Sequence, residues 1–521
     1  MYNPIATYRI QFHKEFTFAD FERHIDYFTG LGVKTIYASP IFSAVPGSTH
    51  GYDALDPLTI NPEIGTLEQL RSITNRLRVA GIGWLQDIVP NHMAYDTRNP
   101  WLRDVLEKGR HSAYANFFDV AWTDSVAAGH IMAPFLGKSL EEAVHAGEVQ
   151  LLFENGRLSL NYYGSHYPLR LRSYKALLEE AGTDALQQWC RQADEVLAIE
   201  DAAQHSNGFD ELLAQLAGLG KNDTVLTAIT KRVATLNEDK DALLSLANEQ
   251  VYRLCHWQES DGRMNYRRFF TVNGLICLNM QDEHVFGHFH QLVKQLVDEG
   301  VFQGVRVDHV DGLYDPTAYL ERLRSLLGPE CYIVVEKILE LHEALPQQWP
   351  IEGTTGYDFL AQVNQVLTDP QSESTFTRYY YSLVPDHRSV AQQVRDKKAH
   401  MLYQHMGGEL ENLYQLLMQL LEPEAYGQMR TEDLKTAIAE ILIHMPVYRY
   451  YGNALPLNDP NFSKLMTESD DYFKQAVVPL EIYITQYPND KAVLQVLSQI
   501  HRILKNTEKA AEYKRRMDEA K

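Results

Sequence analysis

Five short runs rich in β-branched and aromatic residues set the strongest limit on how this chain folds. They are "ATYRIQF" at 6–12, "KTIYASP" at 34–40, "GWLQDIVP" at 83–90, "GVRVDH" at 304–309 and "YIVVEKI" at 332–338. Amphipathic helical patterns, "FADFERHIDYFTGLG" and "TLEQLRSITNRLRVAG", lie between the first three. Strand and helix in alternation predict parallel strands covered by helices, since a parallel neighbour is reached only through a long crossover. A closed barrel and a doubly wound sheet both satisfy that alternation.

Between "IVPNH" and "GVRVDH" lie about 210 residues, far more than a strand-to-helix loop needs, so this span is expected to hold an inserted module. Its middle, from about Tyr174 to Trp257, reads as helix, most clearly in "KALLEEAGTDALQQWCRQADEVLAIEDAA". A second helical block runs from about Leu360 to His444. The last 50 or so residues read as helix, "YPND" turn, helix, "KNTE" turn, helix, a pattern similar to the end of a tetratricopeptide-repeat array. Such units need roughly three copies to stand alone. One copy and a fraction is therefore expected to pack on the main body, to pair with a protein partner or to be marginally ordered.

Composition excludes several classes of function. Acidic residues outnumber basic ones by 69 to 48, and the net charge of −21 repels nucleic acid and anionic membranes. A neutral or cationic ligand is favoured. The 30 Tyr, 20 Phe and 6 Trp suffice to line a groove for flat apolar faces as well as to fill a core. Cys190, Cys255, Cys277 and Cys331 form no CxxC pair, which argues for reduced core thiols in a cytoplasmic protein. The start "MYNPIATYRIQF" lacks the basic-then-apolar signature of a secretory leader, and no apolar run reaches 18 residues. No metal-ligand constellation and no nucleotide-binding glycine loop stands out, so no metal and no cofactor is expected.

The candidate chemistry sits at strand ends. In "GVRVDHVDG" Arg306 and Asp308 share one face while Val305 and Val307 take the other. If the strand belongs to a parallel barrel, its C-terminal end opens on the active-site mouth, and an Asp kept ionised by the Arg is poised as a nucleophile. A structural ion pair is the other reading of the same residues. Glu336 ends the run "YIVVE" and is a candidate general acid; an Asp and a Glu at strand ends are the pair that glycoside chemistry uses. A third strand end, "DIVPNH", puts Asp87, Val89 and Asn91 on one alternating set and finishes at His92. Structural histidine and ordinary turn chemistry are the alternatives there.

Taken together, "DIVPNH", "GVRVDHVDG" and "VVEKI" resemble the first three conserved regions of the α-amylase superfamily of (β/α)8 TIM-type barrels. Further stretches, "YASPIFSAVPGSTHGYDALDPLTINPEIG", "NYRRFFTVNGL", "GVRVDHVDGLYDP" and "GTTGYDF" with "HMPVYRYY", resemble the maltooligosyltrehalose synthase family within it, intermittently from about residue 7 to 451. That family turns the reducing-end α-1,4 link of a maltooligosaccharide into an α,α-1,1 link. The resemblance implies Asp308 as nucleophile, Glu336 as acid and base, and Arg306 as the group holding Asp308 ionised. It implies a sugar site formed by Asp87, Asn91, His92 and His309, with Tyr52 stacking on the reactive glucose and Asp53 supporting its loop. Trp101, Tyr114, Phe117 and Phe118 would line the glucan path.

The expected organisation is then 1–92 for the first part of the barrel and 93–300 for an inserted, largely helical module. Residues 301–359 carry the strands with the carboxylates, 360–444 a helical insertion, 445–465 the end of the resemblance and 466–521 the repeat-like tail. The superfamily's third carboxylate, an Asp that follows a His near the seventh strand, has no counterpart, for the chain contains no His-Asp dipeptide. Three expectations follow: a synthase-type enzyme on α-1,4 glucans, alone or completed by another polypeptide; a hydrolase or transglycosylase of the same superfamily; or a non-catalytic glucan-binding protein whose tail meets a protein partner.

Overall fold

The computed structural model describes residues 2–122, 129–340, 343–420, 431–445, 447–449, 451, 480–481, 484–485, 487–503 and 506–520. They divide into two compact units, Met1–Arg388 and Ser389–Lys521.

The first unit is built on six parallel strands: β1 (Thr7–Ile10), β2 (Thr35–Ala38), β3 (Gly83–Ile88), β4 (Gly304–Val307), β5 (Tyr332–Val335) and β6 (Gly353–Thr354). Each pairs with the next in chain order. A doubly wound sheet reverses its strand order at a switch point, whereas a barrel winds in one direction. The unbroken order therefore selects the barrel, and these six strands form an open part of one. Burial follows position: β2, β3 and β4 are buried throughout, while the first three residues of β1, at the sheet edge, are exposed.

Alternation along the strands builds two layers. On the inner face Tyr37, Leu85 and Val334 cluster with Tyr332. On the outer face Trp84 stacks on Phe12 at 5.9 Å and meets Phe21 edge-on. Helices α1 (Ile25–Leu31), α2 (Leu67–Val79), α3 (Gln291–Asp298) and α4 (Pro316–Leu327) lie between strands in sequence. In α2, Leu70, Ile73, Thr74 and Leu77 repeat at helical spacing and are buried, and Thr66 with Gln69 forms a capping box that satisfies the first backbone donors. Where "FADFERHIDYFTGLG" suggests one helix there are two, Phe18–Glu22 and α1, separated at Arg23 and His24.

The insertion leaves after β3. Five helices between Leu171 and Asn248 form its middle. Strands flank them: Ile131–Leu136 pairs with Tyr252–His256, and Val149–Glu154, Arg157–Tyr162 and Ser165–Pro168 make an antiparallel meander. The helical reading from 174 to 257 thus runs too far, because Tyr252–His256 is a buried strand rather than a last helical turn. All four cysteines are buried free thiols. Among the described residues no helix is long and apolar enough to cross a membrane.

After β6, helices Tyr357–Val366 and Glu373–Leu383 contain no buried residue. The second unit has Val390–His405, Gly407–Leu420 and Thr431–His444, which pack around Leu402, Leu410, Ala439 and Ile443. Two tail helices, Lys491–Ile503 and Thr507–Glu519, enclose Leu494, Leu497, Ile500 and Tyr513. The segment 445–465 lies almost wholly outside the described residues, as do 466–479 of the tail.

Gly304 is the tight point of the inner layer. A Cβ there would stand 2.5 Å from the Tyr332 carbonyl oxygen and 3.2 Å from Leu85, and the carbonyl belongs to the neighbouring strand and cannot swing away. Gly304→Ala is expected to destabilise the protein by about 1–3 kcal/mol, read as a lower urea midpoint.

Candidate active site

Register puts the charged residues together. Arg306 in β4 lies opposite Asp87 in β3, and the two C-terminal strand ends carry Asp308 and Glu336 one step further on. The Arg306 guanidinium is buried and donates to Asp87 Oδ1 at 2.8 Å and Asp308 Oδ1 at 2.5 Å, with Glu336 Oε1 3.5 Å from its other terminal nitrogen. Glu336 is fixed from its second oxygen too, by the His309 backbone N–H at 2.9 Å. His309 takes a left-handed φ of 46°.

Asp87 is wholly buried and accepts from Tyr52 Oη at 2.6 Å and Tyr37 Oη at 3.0 Å. Arg9 of β1 lies 3.5 Å from Asp87, donates to Tyr52 Oη at 3.2 Å and stacks over the Tyr37 ring. Asp53 accepts from Ser48 Oγ at 2.5 Å and ties the "PGSTHGYD" loop to itself.

Asn91, His92 and His309 form a second group. β3 ends at Ile88 and the chain bends at Asn91, so Asn91 does not continue the alternating set of Asp87. It accepts instead from Arg267 of the insertion at 3.1 Å, and the same guanidinium nitrogen donates to the Gly312 carbonyl at 2.6 Å. A Cβ on Gly312 would sit 2.5 Å from Asn91 Oδ1, so the loop after β4 requires glycine there. The His92 ring packs on Phe269 at 4.4 Å, and Phe269 and Phe270 both face His309. Trp101, Phe117 and Phe118 are instead core of the insertion, while Tyr114 is half-buried with its ring stacked on Trp101 at 5.9 Å.

Burial decides the electrostatics. It pushes the Asp308 carboxyl up to about 7; Arg306 opposes this, and the Asp87 and Glu336 charges add to it. Arg306 alone therefore does not hold Asp308 in the ordinary carboxylate range. Three carboxyl groups face two guanidiniums, Arg9 and Arg306, and this excess favours retention of a proton within the cluster. Burial also raises Asp87, against Arg306 and Tyr52. His92 is lowered to about 3 by burial and the neighbouring His309, so its ring is neutral near pH 7 and acts as a hydrogen-bonding group, not a cation. Among the described residues no cluster of His, Cys, Asp and Glu fits a metal ion.

Parallel strands wound in one direction, with an arginine-bridged Asp and Glu at consecutive strand ends, define a (β/α)8 TIM-type barrel of the α-amylase superfamily, here with six strands described. Residues 20–144 match the α-amylase catalytic domain. Within that superfamily the similarity is to maltooligosyl trehalose synthases. A provisionally named maltooligosyl trehalose synthase of Mycobacterium tuberculosis is 34% identical over 87% of this chain and 50% of its own length. The maltooligosyltrehalose synthase structure from Arthrobacter ramosus is 27% identical, with a TM-score of 0.66 over 99% of this chain and 54% of that one. A hypothetical maltooligosyl trehalose synthase of Sulfolobus tokodaii is 27% identical, with a TM-score of 0.63 over 99% and 54%. The chain spans about half the length of the curated relatives it matches.

Arg306→Met leaves buried carboxylates without their counter-charge and is expected to cost about 3–5 kcal/mol at pH 8. The loss should shrink at pH 5, where the carboxyls can take up protons instead of staying charged. Equal losses in chemical denaturation at both pH values would contradict this account of the cluster.

Proposed function

We propose that the chain carries the catalytic carboxylates of an α-glucan-rearranging enzyme, with conversion of the reducing-end α-1,4 link of a maltooligosaccharide to an α,α-1,1 link as its reaction. The observation that carries this reading is the Arg306 guanidinium bridging Asp308 and Glu336 at neighbouring strand ends. Similarity to maltooligosyl trehalose synthases over 87% of the chain supports the substrate class and the type of product.

In this reaction Asp308 attacks the anomeric carbon as the bond to the departing O4 breaks, and Glu336 gives O4 its proton. The departed glucose stays bound and turns, so that its own anomeric hydroxyl attacks. Glu336 takes that proton back as the Asp308 ester breaks. No water is consumed, so the reducing end disappears at constant mass. The rings of Phe269 and Phe270 beside His309, and of Tyr52 beside Asp87, offer flat faces suited to holding a sugar through two steps.

One observation favours hydrolysis as the second reading. Glu336 keeps 27% side-chain exposure, so water reaches the proposed acid. A barrel group acting on developing charge is worth about a hundredfold to a thousandfold in rate. On the six described strands the carboxylates at Arg306 are Asp87, Asp308 and Glu336.

Incubation with maltohexaose, following reducing ends and product mass, tests the reading. Lost reducing ends at unchanged mass are expected. New reducing ends would instead establish hydrolysis, and binding without turnover a glucan-binding protein. Asp308→Ala should abolish turnover and leave maltohexaose binding nearly intact. Because Asp308 must be charged to attack, kcat/KM should fall as pH drops through about 7.

A further inference from the structure

A second cavity lies apart from the strand-end carboxylates and is lined wholly by residues of the insertion. It holds about 210 Å³ and is lined in part by Asp96, Thr97, Phe135, Tyr162, Tyr163 and Ser165. Tyr162 is anchored, its hydroxyl accepting from the Gly137 N–H at 3.0 Å. The Tyr163 ring stands nearly perpendicular to it, with centroids 4.8 Å apart, so the two make a corner of aromatic walls.

The backbone at that corner is unusual. Strands Arg157–Tyr162 and Ser165–Pro168 pair with Ser165 opposite Tyr162, which leaves Tyr163 and Gly164 as a two-residue turn with φ of 46° and 87°. Such turns strongly prefer Asn or Gly at the first position, and a bulky aromatic there is strained. Packing does not compensate, since the Tyr163 side chain is among the exposed large apolar groups at 76%. Strain of this kind that burial does not repay points to a role for the side chain itself.

The floor is polar. Asp96 is gripped by Arg98, whose backbone N–H and Nε donate to Oδ1 at 2.8 and 2.9 Å and whose terminal nitrogen donates to Oδ2 at 2.6 Å, so that Oδ1 is satisfied and Oδ2 keeps a lone pair for a ligand. Thr97 and Ser165 add hydroxyls. Aromatic walls around a carboxylate and hydroxyls match a ring with apolar faces and a rim of hydroxyl groups. They do not match an anion, which Asp96 and the net charge of −21 both disfavour.

We propose that this cavity is an accessory site for one glucosyl unit of an α-glucan, with Tyr163 as its stacking platform. The choice of glucan rests on the function proposed above. The site would retain a long chain on the insertion while its end occupies the barrel.

Affinity electrophoresis of the full chain through gels containing soluble starch tests this without requiring turnover, so failure of the catalytic reading and failure of this one are distinguishable. The unsubstituted chain should be retarded. Tyr163→Gly should weaken the apparent affinity by about tenfold, the scale of one lost aromatic contact, while its Tm rises because the turn is relieved. Tyr163→Phe should keep the retardation, and Asp96→Asn should reduce it. Unchanged retardation in Tyr163→Gly would overturn the proposal, as would the absence of retardation in the unsubstituted chain. A rise in Tm with no loss of binding would show the tyrosine to be a poorly chosen turn residue and nothing more.

Discussion

The buried guanidinium of Arg306 is the constraint around which the site is arranged. Desolvating it costs several kcal/mol unless its donors are met by charge, and Asp87 and Asp308 meet it at hydrogen-bond distance. That requirement explains why β3 and β4 must be neighbours in this register: a slip of one residue would turn Arg306 to the helix-covered face and leave Asp87 alone. It also explains the outer ring of partners. Asp87, buried completely, needs Tyr37, Tyr52 and Arg9 to complete its hydrogen bonds, and these come from β2, the following loop and β1. One cation thus ties the sheet and its long β2–β3 connection into a single electrostatic unit.

The insertion joins that unit through Arg267. Its guanidinium reaches Asp119, Asn91, Gly312 and Leu278, so it links the turn after β3, the loop after β4 and two parts of the insertion. Sequence separation hides this. Residues 91, 267 and 312 have no periodic relation, and the contact exists because the strand Val272–Cys277 pairs with His92–Ala94 and carries the preceding "RRFF" back to the barrel mouth.

Strand ends were readable because period-two alternation and the order Asp, Arg, Glu survive without tertiary knowledge. The five runs located five of the six strands, and the shared face of Arg306 and Asp308 followed from spacing alone. Arg9 and Tyr37 were passed over although each stands on an inward position of its run, since a lone Arg or Tyr in a strand carries no chemical signature. The meander was legible but missed: "ENGR" is an Asn-Gly hairpin signal, and Asn155 and Gly156 take the left-handed angles such a turn requires. The rise in the Asp308 pKa was beyond reach from the sequence, because it depends on how far burial and two neighbouring carboxylates outweigh an arginine already visible there.

Among the described residues five non-glycine residues adopt left-handed backbone angles: Ile5, Asn155, Tyr163, Phe270 and His309. Asn155 is the residue its turn favours, and Ile5 precedes the edge strand. The other three are rings at sites. His309 uses its angle to aim a backbone N–H at Glu336, and the Phe270 ring lies 5.1 Å from that of His309. A side chain with a β-carbon at positive φ is costly for folding, and neither Phe270, 49% exposed, nor Tyr163 recovers the cost by burial. The strain coincides with the residue whose backbone N–H holds Glu336 and with two rings that present a flat face to solvent. Both rings therefore keep apolar surface in water at a cost in stability, which is why Tyr163 serves as the test position for the accessory site proposed above.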